Sequence, residues 1–179
     1  YGALTWIASQ CSSFSGVCRK QSQRRAENRY EGDTTRRFVR DGNGLTLKSA
    51  LVLFLAFLTK ASPVLEQPVC SVMPLTQSMA TVLSFCRATR SVTWLCAFGA
   101  LSAKPLQLFH VGPCYATLRR KRPKNMSLDP LTSTSGAKDP LTGRKRFSGK
   151  KANMQASQVY PYAFGLAVAR LSWARLRRT

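Results

Sequence analysis

The sequence predicts an α+β fold: a small apolar body of one helix and short antiparallel strands, with basic extended arms and a C-terminal helix. Three observations carry this reading. Leucines recur at helical spacing over 47–59, runs rich in β-branched and aromatic residues follow between 80 and 118, and charge is partitioned steeply along the chain. A mainly α fold is the alternative, because 80–99 is apolar on both faces and its period does not arbitrate.

Residues 1–42 hold 8 basic and 4 acidic residues, and read as a basic N-terminal arm. From Tyr1 to Ala26 there is no acid, while serines accompany Arg19, Lys20, Arg24 and Arg25. This composition fits an organellar transit peptide and equally the basic arm of a mature protein. A first residue other than Met fits a processed product or a fragment. The sequence DGNG at 41–44 has turn chemistry and lacks the other ligands of a calcium loop.

Residues 43–118 form the expected apolar core domain, with 5 basic residues and 1 acid. Leu47, Leu51, Leu55 and Leu58 line one face of a helix over 47–59, which is expected to be a core helix. Only 11 uncharged residues separate Lys48 from Lys60; at 1.5 Å per residue they rise ~16 Å, about half a hydrocarbon core. Residues 61–78, rich in Pro, Ser, Thr and Gln, read as loop. The stretch ATVLSFCRATRSVTWLCAFG (80–99) reads as two strands joined by a polar turn, although one helix would use the same residues. Two further short strands are expected at 106–111 and 114–118, separated by Gly112-Pro113.

Residues 119–157 read as a flexible basic tail. It contains RRKRPK at its start, RKRFSGKK at 144–151, and DPLT twice at a spacing of ten, which suits two similar turns. Residues 158–179 read as a basic C-terminal helix with Pro161 in its first turn and Arg175, Arg177 and Arg178 in its last. Both placements suit a helix, since proline lacks only an orphan donor there and cations favour the negative end of the dipole.

Catalytic and metal chemistry find little material. The nearest metal constellation, Cys86, Cys96, His110 and Cys114, has no recognisable ligand spacing, and core cysteines are the better expectation. There is one histidine, and Glu66 is the sole acid between Asp41 and Asp129. No nucleophile–base order, carboxylate pair or phosphate loop emerges. The expectation is a non-enzyme without cofactor, metal or small-molecule substrate.

The charge is the informative feature. Residues 119–179 carry 15 basic residues against 2 acids, in a chain of net charge +21. A polyanion is the expected partner. Candidate contacts are Arg119, Arg120, Lys121, Arg122, Lys124, Arg144, Lys145, Arg146, Phe147, Lys150, Lys151, Arg170, Trp173, Arg175, Arg177 and Arg178. Arginine forks onto phosphate, lysine supplies point charge, and the aromatics among them stack on unpaired bases, which favours RNA over duplex DNA.

The leading expectation is a structural RNA-binding protein of a large ribonucleoprotein, with an organellar (mitochondrial or plastid) ribosome the natural setting and rRNA and neighbouring proteins as partners. The second is an accessory subunit of an organellar membrane complex, with 45–118 at or in the bilayer and the basic termini on an anionic leaflet. The third is an unselected or out-of-frame translation product with no evolved function. Leu, Arg and Ser, the residues with most codons, make 57 of the 179.

Overall fold

In the computed structural model, residues 3–16, 18–100, 104–111, 113–124 and 159–176 are described. Their longest element forms where apolar residues recur at helical spacing, but it starts ten residues earlier than expected. Helix α2 runs Arg37–Leu58, after a four-residue helix α1 at Arg19–Ser22. The turn chemistry of DGNG is overridden: Asp41–Gly44 are helical. Gly42 is there because a Cβ would stand 2.3 Å from Ser13 Oγ and 3.1 Å from an Arg24 guanidinium nitrogen. Asn43 is held by donating Nδ2–H to the Glu31 carbonyl at 2.9 Å. Tertiary packing thus outweighs the local cost of glycine and asparagine in a helix.

Four strands make one mixed sheet in the order β1–β2–β4–β3: β1 Leu4–Ile7, β2 Ser62–Pro68, β3 Thr89–Trp94 and β4 Pro105–His110. The α+β class holds and the C-terminal helix is present; the sheet is not wholly antiparallel. β1 runs parallel to β2, from Leu4↔Ser62 to Ile7↔Leu65, with α2 as the crossover between them. β2 and β3 each run antiparallel to β4.

Three local expectations are corrected. The Pro- and Ser-rich stretch read as loop supplies a central strand, β2, with Pro63 and Pro68 near its ends. Both faces of β2 are covered, so Ser62 through Gln67 are all buried and the alternation that marks a half-exposed strand is missing. The expected hairpin over 80–99 is instead helix α3 (Gln77–Phe85) followed by β3, whose partner is β4. Met79, Leu83 and Cys86 face inward at helical spacing, and Arg87, at φ 50°, sits in the left-handed region where the helix has ended. The expected strand at 114–118 lies within a 3-10 helix, Pro113–Leu118. The strand at 106–111 is β4, within one residue at either end.

Two helical layers sandwich the sheet. Leu65 points to one side, where Phe14, Ala50, Leu53, Met73, Met79 and Leu83 build the larger core with α2 and α3. Val64, next in the strand, points to the other side, toward Leu108, Tyr115 and Leu118. The final helix, α4 (Tyr162–Leu176), covers that second face through Phe164, Ala167, Val168 and Leu171. Phe164 packs edge-on to Trp6 and Phe98, with ring centroids 5.9 and 5.2 Å apart.

The N-terminal segment expected to be an arm contributes β1, Phe14 and a buried cation to this body. The Arg24 guanidinium lies 3.8 Å over the Phe14 ring, a cation–π contact. It donates to the carbonyls of Ser13, Tyr30, Glu31 and Val39, at 2.7–3.3 Å. Burial lowers its pKa to about 10, with the nearby Glu31 charge opposing. The chain thereby wraps a loop around one charged plug and fastens it to α2.

Candidate nucleic-acid interface

The first basic cluster begins where the core ends. Tyr115 and Leu118 are buried against Val64 and Leu108, and the Arg119 amide donates to the Ala116 carbonyl at 3.0 Å. Residues 119–124 then leave the 3-10 helix with all of Arg119, Arg120, Lys121, Arg122 and Lys124 exposed. Their main chain therefore starts from a fixed point while their side chains reach solvent. The two ion pairs among the described residues, Asp33–Arg36 and Asp41–Arg37, leave these five cations out.

The second basic element arrives from far along the chain. α4 packs on the 3-10 helix: Leu118 shares its apolar cluster with Val168 and Leu171. Arg119 follows Leu118 and Arg170 precedes Leu171, so packing brings these two expected phosphate contacts to the same side of the sheet. Arg170 is exposed, and Trp173, one turn on, is 60% exposed. Arg175 belongs to the last turn of α4, and its side chain lies outside the description. Arg144, Lys145, Arg146, Phe147, Lys150, Lys151, Arg177 and Arg178 lie outside the described residues, as does most of the expected tail with both DPLT copies.

Tyr160 clamps the approach to α4. Its hydroxyl donates to the Glu66 carboxylate on β2. Burial raises the Glu66 pKa above its usual value, against the opposing effects of the Tyr160 hydroxyl and the Lys104 charge. Burial first, and the Glu66 charge second, also push the Tyr160 phenol upward. The helix bearing Arg170 and Trp173 is thus tied to the central sheet by one polar contact as well as by Phe164.

Of the residues weighed for metal, Cys86, Cys96 and His110 have described side chains, and that of Cys114 lies outside the description. Cys86 is buried at the end of α3 and Cys96 is buried in the 3-10 turn after β3. His110 is buried on β4 with Nε2 2.9 Å from Ser91 Oγ. Among the described residues, no three His, Cys, Asp or Glu side chains come together to hold an ion.

Sequence reasoning misplaced one face. Leu47, Leu51, Leu55 and Leu58, expected to point into the core, are exposed, while Val39, Thr46, Ser49, Ala50, Leu53 and Ala56 are the buried positions of α2. Small residues let α2 lie close to its neighbours, so the bulkier leucines are left outside. Beside them, a groove of about 670 Å³ between α2 and α3 is lined by Leu47, Ala50, Leu51, Phe54, Thr81 and Val82. The signal was present in the sequence: Arg37 and Arg40 continue the leucine series at steps of three and seven residues, and cations on a stripe mark a face that meets solvent or a charged surface.

The chain matches no protein family, no curated protein and no solved structure.

Proposed function

We propose that the protein is a structural RNA-binding component of a large ribonucleoprotein, holding phosphates with Arg119–Lys124 and the α4 face that carries Arg170 and Trp173. The supporting observation is the convergence of these two segments, separate in sequence, on the apolar cluster that Leu118 shares with Val168 and Leu171. Convergent cations span more than one phosphate of a folded RNA, and the exposed Trp173 ring offers a stacking surface for an unpaired base. An organellar ribosome is the natural setting for such a component. rRNA would neutralise the net charge of +21, with neighbouring proteins meeting the rest of the body.

Salt titration of binding to a single-stranded RNA tests this reading. Each phosphate contact contributes a slope of ~0.7 in log K against log salt. Replacing Arg119, Arg120, Lys121 and Arg122 with glutamine lowers that slope by up to ~3 units, equally across RNA sequences. Trp173→Ala weakens single strands more than duplex, by about 1–3 kcal/mol. An unchanged slope in the four-residue variant removes the reading.

A bilayer-spanning role fits less well. α2, with 22 residues, is long and apolar enough to cross a membrane. Crossing would strip Ala50 and Leu53 from the larger core they build with Leu65, Met79 and Leu83, dismantling it.

A further inference from the structure

Helix α2 turns an apolar stripe outward from a folded body. Leu47, Leu51, Leu55 and Leu58 are 62, 55, 50 and 54% exposed, and Phe85 of α3 extends the patch at 60%. Phe85 packs edge-on to Phe54 and Phe57, with centroids 5.3 and 6.0 Å apart, so its position beside α2 is fixed. The groove between α2 and α3 adjoins the stripe and widens its apolar area.

Cations frame the patch. Arg37, Arg40, Leu47, Leu51, Leu55 and Leu58 share one helical face, Lys48 flanks it, and Lys60 follows the last turn. Arg87 stands next to Phe85 beyond the end of α3. All of these cations are exposed. The acids nearby are Asp41, 3.7 Å from Arg37, and Glu31 at the groove.

We infer that this face docks in the plane of an anionic lipid bilayer, independently of any RNA bound elsewhere. The leucines and Phe85 enter the boundary between headgroups and acyl chains, while the framing arginines and lysines meet lipid phosphates. Charge complementarity selects this occupant over a second copy of the chain, which would bring a second set of the same framing cations to the patch at a net charge of +21 apiece. The inward face of α2 stays packed on the sheet, so docking needs no unfolding.

Flotation of the full chain tests this, using vesicles of phosphatidylcholine alone and of phosphatidylcholine mixed with phosphatidylglycerol, followed by a high-salt wash. The wild type floats with the anionic vesicles and stays bound through the wash. A variant carrying Leu51→Glu and Leu55→Glu partitions about a hundredfold less and is released by salt, because the apolar term is lost. The variant with Arg119–Arg122 neutralised is retained like the wild type, so failure of the RNA reading leaves this result unaffected. Circular dichroism verifies the fold of each variant, and Leu51→Ser with Leu55→Ser is the milder pair should the glutamates disturb it. Equal retention of the face variant, or no flotation of the wild type, overturns the inference. So does a dimer in sedimentation that the face variant converts to monomer, which would assign the stripe to self-association.

Discussion

Arg24 shows how much one side chain can decide. A buried guanidinium must satisfy its donors, and here the carbonyls of Ser13, Tyr30, Glu31 and Val39 do so. Truncating it orphans those acceptors and opens a void over Phe14. Arg24→Ala should cost about 3 kcal/mol or more in urea unfolding. Gly32 belongs to the same knot: at φ +74° with a Cβ position 2.4 Å from the Ser22 carbonyl oxygen, it admits no side chain. Glu66 supplies a second test, read by pH. Its folded pKa is raised above the ordinary 4.5, so the folded state holds a proton that the unfolded chain releases. Stability should therefore fall as pH rises through the window above 4.5, and Glu66→Gln should flatten that fall. Unfolding free energies measured across this range verify both. None of this was legible in the sequence, where Arg24 is one of several arginines in a serine-rich stretch and Glu66 an isolated acid. Burial depends on residues distant in sequence, and composition carries no such information.

At the level of elements, periodicity located helices better than it oriented them. The leucines of α2 marked that helix, Pro161 and the terminal arginines marked α4, and α4 packs inward through Phe164, Ala167 and Leu171. For α2 the larger residues faced out, because close approach to the sheet selects Ala50, Ser49 and Ala56. Paired truncations separate the faces. Leu53→Ala should cost about 2–5 kcal/mol, since it empties a closed site, while Leu51→Ala should stay within about 0.5 kcal/mol. Chemical denaturation of the two variants measures the difference. β2 was missed because period-two alternation signals one buried face, and β2 has two. α3 was read as the first strand of a hairpin because it is short and apolar, and the left-handed Arg87 that ends it has no glycine or proline to announce it.

Across the whole molecule, the two proposed contact faces take different sides of the sheet. The cations of Arg119–Lys124 and α4 belong to the side of the sheet that α4 covers, whereas the leucine stripe belongs to α2 on the opposite side. The two proposed contacts can be made together, which would place RNA and lipid on either side of a thin sheet. The exposed cations of Arg119–Lys124 were legible as a run of charge, because clustered charge needs no folding to be read. Its convergence with Arg170 was not, since nothing local announces that Leu118 will meet Leu171. A ternary test follows: vesicles loaded with wild-type protein should capture a single-stranded RNA, and should fail to do so when either the Leu51/Leu55 pair or Arg119–Arg122 is replaced. Co-flotation of labelled RNA reads this directly.

The parallel pairing of β1 with β2 also has a consequence for synthesis. During translation β1 emerges first and must wait for α2 and the whole of β2 before its ladder can close. Until then Leu4, Trp6 and Ile7 lack the β2 ladder, and the Arg24 knot is the structure available to organise the segment that follows them. A chaperone that shelters short apolar segments on a growing chain would find its substrate there, and would be released when Val64 and Leu65 arrive.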